Sequence, residues 1–207
     1  MIDINIEEFS LIELDAIREI INIATAHSAS ALSKLLDKTI LVKVPKVEVV
    51  PINKIPELLG GSELPIVGIY FNFSEELSGR IFLFFDKDTA ETLVKYLTAN
   101  ITCFNSSEQE EINRSALMEL GNILANSYLN AIAEMMNMKI LLSVPYYASD
   151  MLGAVIDALL IEIAMVADYA LLLNTVIESR EVKISGNFLI FPDKESFEKM
   201  FKSIGLK

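Results

Sequence analysis

Leu14–Leu36 reads LDAIREIINIATAHSASALSKLL, and the chain spells a second version one hundred residues on, where Arg114–Met136 reads RSALMELGNILANSYLNAIAEMM. When Asp15–Pro45 is set against Ser115–Pro145, nine of thirty-one aligned pairs are identical: Ala16/Ala116, Glu19/Glu119, Asn22/Asn122, Ile23/Ile123, Ala31/Ala131, Ile40/Ile140, Leu41/Leu141, Val44/Val144 and Pro45/Pro145. Most of these are apolar and suit a core. Glu19/Glu119 and Asn22/Asn122 are polar and need another reason.

On a helix turning about 100° per residue, Asp15, Glu19 and Asn22 fall within an arc of roughly 60°, as do Ser115, Glu119 and Asn122. Residues three and four apart are surface neighbours, so each trio makes a short polar strip. The opposite face carries Ile17, Ile20, Ile21 and Ala24 in the first copy and Leu117, Leu120 and Leu124 in the second. Asn is a mediocre helix former, so propensity does not explain its place in mid-helix. Two readings stay open on geometry alone: a solvated face inherited by duplication, or a pair of sites.

The totals exclude several classes. A chain of 207 residues with 52% apolar content can bury a substantial core. A formal charge of −12 argues against a nucleic-acid surface, which needs clustered cations, and against docking on anionic lipid. Cys103 and His27 are the only residues of their kinds, so an intrachain disulfide, a cysteine-rich or multi-histidine metal site, and a Ser-His-Asp triad in both halves are all excluded. His27 suits a surface or capping position. The opening MIDINIEEF has acids where a signal peptide has a basic region. Met151–Ala167 is the most membrane-like stretch, but it is short and interrupted by Asp157 and Glu162, and reads as a buried helix with those acids at its wet edge. The expectation is a cytoplasmic protein with no membrane insertion.

Taken in order, the first half reads as a helix over about 9–36 stopped by Asp37-Lys38, then a strand over 39–50. Pro45 marks that strand as an edge strand or a bulge. A Pro- and Gly-containing loop over 51–65 has room for one helical turn near 54–59. Strands at 66–73 and 79–85, a hairpin for a sheet covered on one face, lead to a helix over 88–97 and a linker over 100–107. The second half reads as a helix over 108–137, a strand over 138–144, a loop over 145–149, a helix over 150–167, strands at 169–178 and 181–191, and a closing helix over 194–204.

A second alignment supports duplication at the far end of the unit. Gly79–Leu97, GRIFLFFDKDTAETLVKYL, matches Gly186–Ile204, GNFLIFPDKESFEKMFKSI, sharing Gly79/Gly186, Phe84/Phe191, Asp86/Asp193, Lys87/Lys194, Glu91/Glu198 and Lys95/Lys202. Asp86 and Asp193 stand where a helix N-cap belongs. The fold class is α+β and sandwich-like, with two long site-bearing helices packed on a β-sheet around a pseudo-twofold. It forms a single domain over 1–207, with repeat 1 over about 9–99 and repeat 2 over about 108–205.

These residues carry a resemblance to the CheC family of chemotaxis phosphatases, which includes CheX and FliY. The family signature is Asp or Ser, three residues, Glu, two residues, Asn, then twenty-two residues and Pro. It is met by Asp15, Glu19, Asn22 and Pro45, and again by Ser115, Glu119, Asn122 and Pro145. The doubled signature looks most like the CheC branch. A FliY-like protein would continue into a further motor domain, and this chain ends at Lys207. The resemblance implies hydrolysis of the aspartyl phosphate on the response regulator CheY. Glu19 and Glu119 would each hold a regulator Lys, and Asn22 and Asn122 would enter its active site, with Asp15, Ser115, Pro45 and Pro145 in support. It implies no cofactor or metal of the protein's own, Mg²⁺ being the regulator's. It also implies a monomer, and CheD as a further partner.

One departure sets the copies apart. Gly121 precedes Asn122, but Ile21 precedes Asn22; Ala24 and Ala26 follow the first Asn, Leu124 and Asn126 the second. A bulky Ile beside Asn22 is expected to restrict close approach there, giving unequal sites with Asn122 the stronger. The rival reading from another class is a non-catalytic adaptor that binds the phosphorylated regulator or CheD, needing the two Glu but not the two carboxamides.

Overall fold

The computed structural model describes residues 11–99, 101, 105–163 and 167–203. The first half runs α1 (Leu11–Leu36), β1 (Leu41–Pro51), a 3₁₀ turn at Ile52–Lys54, α2 (Ile55–Leu58), β2 (Pro65–Glu75), β3 (Gly79–Asp86) and α3 (Lys87–Leu97). The second runs α4 (Ser106–Met136), β4 (Ile140–Leu142), β5 (Tyr146–Met151), α5 (Leu152–Ile163), β6 (Tyr169–Glu178), β7 (Lys183–Pro192) and α6 (Lys194–Ser203).

Among the described residues, seven strands form one antiparallel sheet in the order β1-β6-β7-β3-β2-β4, with β5 also on β2 in line with β4. Each half's first strand therefore flanks the other half's hairpin. The β3–β7 ladder pairs Ile81 with Ile190, Phe82 with Leu189 and Leu83 with Phe188. Shifting Ile81 forward and Ile190 back by the 107 residues that separate Gly79 from Gly186 gives Phe188 and Leu83, which are themselves a pair. The ladder maps onto itself about Phe82 and Leu189, so a pseudo-twofold passes between them, normal to the sheet.

Such an axis keeps each sheet face on its own side, and the core divides accordingly. On one face, Ile17, Ile20 and Ala24 of α1 and Leu117, Leu120 and Leu124 of α4 pack over Ile69, Phe71, Ile81, Leu83, Leu173 and Phe188. On the other, Leu152, Ile156 and Leu159 of α5, with Ile55 of α2, cover Phe82, Phe84, Leu172 and Leu189. The sheet is thus covered on two faces, not the one expected from its hairpin. The near-continuous apolar run Ile81–Phe85 is the reason: both sets of alternate side chains are buried. On α5, Asp157 is exposed as expected, but so is Ile161, while the Glu162 side chain lies outside the described residues.

Several local features follow from residue type. Both long helices stop at a left-handed residue, Asp37 (φ 49°) and Asn137 (φ 51°), and the next N–H closes the turn: Lys38 donates to the Ser33 carbonyl at 3.2 Å, Met138 to that of Ala133 at 3.0 Å. Between Lys43↔Val176 and Lys46↔Asn174, two β1 residues, Val44 and Pro45, face one on β6, so edge strand and bulge are both correct for Pro45. The expected loop at 145–149 is instead β5, whose Tyr146–Met151 pairs with Tyr70–Pro65. The polar segment pairs because β2 offers it a free edge. The strand expected over 138–144 shortens to Ile140–Leu142, and the ladder slips by one residue across 143–145, beside Pro145.

Asp86 and Asp193 both cap helices, accepting from the Thr89 N–H at 2.8 Å and the Ser196 N–H at 2.7 Å. Asp193 also accepts from the Ser78 hydroxyl, tying the β2–β3 turn to α6. Partial burial pushes the Asp193 pKa up, but bonds from Ser78 and Ser196, with Lys199 nearby, outweigh it and leave the pKa below the ordinary carboxylate value. A lowered folded pKa stabilises above the unfolded value of about 3.9 and loses that contribution as pH falls through the folded one. Asp193→Ala is expected to cost about 1 kcal/mol at pH 7, with a smaller deficit near pH 3. Thermal melts at both pH values check this. A deficit independent of pH contradicts the charged cap.

Candidate functional site

The two polar strips lie on the solvent side of α1 and α4, which pack beside each other on one face of the sheet. In α1, Asp15, Glu19 and Asn22 are all exposed; in α4, Ser115 and Glu119 are exposed and Asn122 is half-buried. Beneath them the apolar residues expected on the opposite face are buried, each of Ile17, Ile20, Leu117 and Leu120 at 4% exposure or less. Amphipathic placement thus carries the strips outward. Glu and Asn three apart put their Cβ atoms about 5–6 Å from each other, so each pair presents a carboxylate and a carboxamide as one unit.

The two sites differ in detail. Arg18 Nη1 donates to Asp15 Oδ1 at 2.8 Å; a surface pair of this kind orients the Asp15 carboxylate more than it stabilises the helix. Met118 stands at the matching position in α4. Among the described residues, the Glu19 and Glu119 carboxylates make no ion pair, and nothing holds the Asn22 carboxamide; only the Asn22 backbone carbonyl is engaged, by Thr25 Oγ1 at 2.8 Å. Asn122 is held: Asn126 Nδ2 donates to Asn122 Oδ1 at 2.9 Å and to the Asn122 backbone carbonyl, also at 2.9 Å. Position 26 is Ala, so the first site has no such contact.

Ile21 does not obstruct Asn22, correcting that expectation. It is 3% exposed and points into the core, because the next residue on a helix lies about 100° around from the Asn. Gly121 answers to packing as well: a Cβ there would meet Ile69 Cγ2 at 3.2 Å, a tight contact that Ile69 would have to yield to. The two strips also differ at position 26/126, Ala in the first and Asn in the second. His27 is exposed. Pro45 and Pro145 stand at the bulges of the two sheet edges, where a residue without an N–H fits. Leu41, Leu141 and Val144, which read as core, are exposed at 49%, 59% and 72%.

A cavity of about 820 Å³, which the sequence did not announce, opens beside the second strip between α3, α4 and β5. Arg114, next to Ser115, lines it and lies over the Tyr147 ring at 5.1 Å. Ala90 of α3 lines it, and the matching residue of the repeat is Phe197 of α6. Among the described residues no group of three His, Cys, Asp or Glu is placed to hold a metal ion, and no helix is long and apolar enough to cross a membrane.

A doubled α+β domain carrying two outward Glu-x-x-Asn strips points to the chemotaxis class of proteins. The chain belongs to the CheC-like family, which it matches over residues 12–49 and again over 112–146, each span holding one strip and its edge-strand Pro. It is 34% identical over 197 residues to the CheY-P phosphatase CheC of Bacillus subtilis, covering 93% of this chain and 94% of that one. Thermotoga maritima FliY shares the fold, with a TM-score of 0.72 at 20% identity over 97% of this chain and 100% of that one. So does the CheX–CheY–BeF3–Mg²⁺ complex of Borrelia burgdorferi, with a TM-score of 0.50 at 18% identity over 84% of this chain and 98% of the matched one.

Proposed function

We propose that this protein hydrolyses the aspartyl phosphate of a CheY-type response regulator, using Asn22 and Asn122 to place the attacking water and Glu19 and Glu119 to dock the regulator. The observation that carries the reading is the outward presentation of both Glu–Asn pairs on paired helices over a rigid sheet. The name of the Bacillus subtilis relative and the CheX–CheY complex support CheY as the partner.

The chemistry suits these side chains. An acyl phosphate is already activated, and the regulator contributes its own Mg²⁺, so no strong base is needed. Water attacks phosphorus, the new O–P bond forms as the acyl O–P bond breaks, and the products are inorganic phosphate and the regulator's free carboxylate. What this chain adds is positioning. A carboxamide accepts one hydrogen bond and donates others from a short neutral arm, so it can hold water without repelling phosphate oxygens. Glutamate supplies negative charge that pairs with a regulator Lys and fixes register between the two proteins. A helix holds both at constant separation.

The test is phosphate release from the phosphorylated regulator with wild type and each single variant. Asn122→Ala is expected to remove more than half of the stimulated rate and Asn22→Ala less than half. Equal losses would deny the inequality. An adaptor that only binds would leave the rate of dephosphorylation where it stands without the protein.

A further inference from the structure

We infer that Asn126 is the positioning residue of the second site, orienting the Asn122 carboxamide; the inference rests on the reading of Asn122 as the water-holding group. A backbone carbonyl only accepts hydrogen bonds, so the Asn126 group 2.9 Å from the Asn122 carbonyl must be its nitrogen. That nitrogen also lies 2.9 Å from the Asn122 side chain, where it can meet only Oδ1. The network therefore fixes which way the Asn122 amide faces. Its Nδ2, with both hydrogens, turns away from Asn126, and one lone pair of Oδ1 stays free. Half-buried Asn122 thus offers donors and an acceptor from one held plane.

The first site lacks this. Ala26 replaces the tether, and exposed Asn22 is free to sample its rotamers. On a helix an untethered Asn divides between two common χ1 wells and two amide orientations, so a productive geometry is populated about one time in four. Release of Asn122 is therefore expected to lower kcat about fourfold. KM stays constant, since Glu119 and the docking surface are untouched.

Reciprocal exchange tests this. In an Asn22→Ala background, where only the second site works, Asn126→Ala is expected to lower kcat about fourfold with KM within twofold. Ala is the better helix former, so loss of the fold cannot explain a fall. In an Asn122→Ala background, Ala26→Asn is expected to raise the first site's kcat by a similar factor. Side-chain ¹⁵N relaxation of the Asn122 amide reports the tether without any turnover: ordered in wild type, mobile in Asn126→Ala. If the amide is equally mobile in both, the tether is absent and the inference is overturned, whatever the protein catalyses. If Asn126→Ala leaves kcat unchanged while Asn22→Ala/Asn122→Ala abolishes turnover, the inference fails and the proposed function stands. If that double variant keeps full turnover, both fall.

Discussion

Asn22→Ala/Asn122→Ala is expected to lose 10²- to 10³-fold of stimulated dephosphorylation, the scale on which one preorganised polar group acts in a transition state. Two features of the fold make the experiment clean. Asn22 is exposed and Asn122 half-buried, and both stand over core residues that Ala leaves undisturbed. Ala also exceeds Asn in helix propensity by several tenths of a kcal/mol, so each replacement is neutral or stabilising for α1 and α4, apart from the one tether to Asn126. Lost turnover with an unchanged or raised Tm then reads as lost chemistry. Binding provides the second axis. Glu19 and Glu119 remain, so the double variant should still capture the phosphorylated regulator and compete with wild type for it. Regulator still drained of phosphate at the wild-type rate would show that the carboxamides do no positioning, whatever else the helices do.

The site was legible because two independent regularities coincide in it. Helical spacing put Glu and Asn on one strip, and the repeat showed that spacing twice; the structure places both strips outward. Asp86 and Asp193 were legible for a local reason, since capping depends on the three residues that follow. What stayed hidden depends on distant partners. The strand at Tyr146–Met151 exists only because β2 has an unpaired edge, and nothing in its own composition reports that edge. Exposure of Leu41 and Leu141 follows from their place on the sheet margins beyond the reach of α2 and α5, which alternation alone does not reveal. Ile21 adjoins Asn22 in sequence but not in space; the neighbour that matters lies four residues on, Ala26 for Asn22 and Asn126 for Asn122.

Gly79→Ala is expected to cost about 3 kcal/mol, the upper end of overpacking penalties, and to lower Tm by roughly 6–12 °C for a chain of this size. Gly79 pairs with both Phe73 and Pro192, beside the seam where the two halves meet. A Cβ there would lie 2.2 Å from the Phe191 carbonyl oxygen and 2.5 Å from Phe73 Cζ. The oxygen belongs to the backbone of β7 and cannot swing aside, so β3 must move away from β7 and weaken the ladder joining the two hairpins. At Gly186, the matching glycine of the repeat, the nearest atoms to a Cβ are Phe85 ring carbons, the first at 2.4 Å. A ring can tilt, so Gly186→Ala should cost less, about 1–2 kcal/mol. One repeated residue type thus answers to two different constraints, and urea titrations of the two variants separate them. A smaller loss at Gly79 than at Gly186 would mean that the seam yields more readily than the core. Since native domains keep only about 5–15 kcal/mol in all, a loss of 3 kcal/mol at this seam would use up a large share of what holds the twin strips on one rigid sheet.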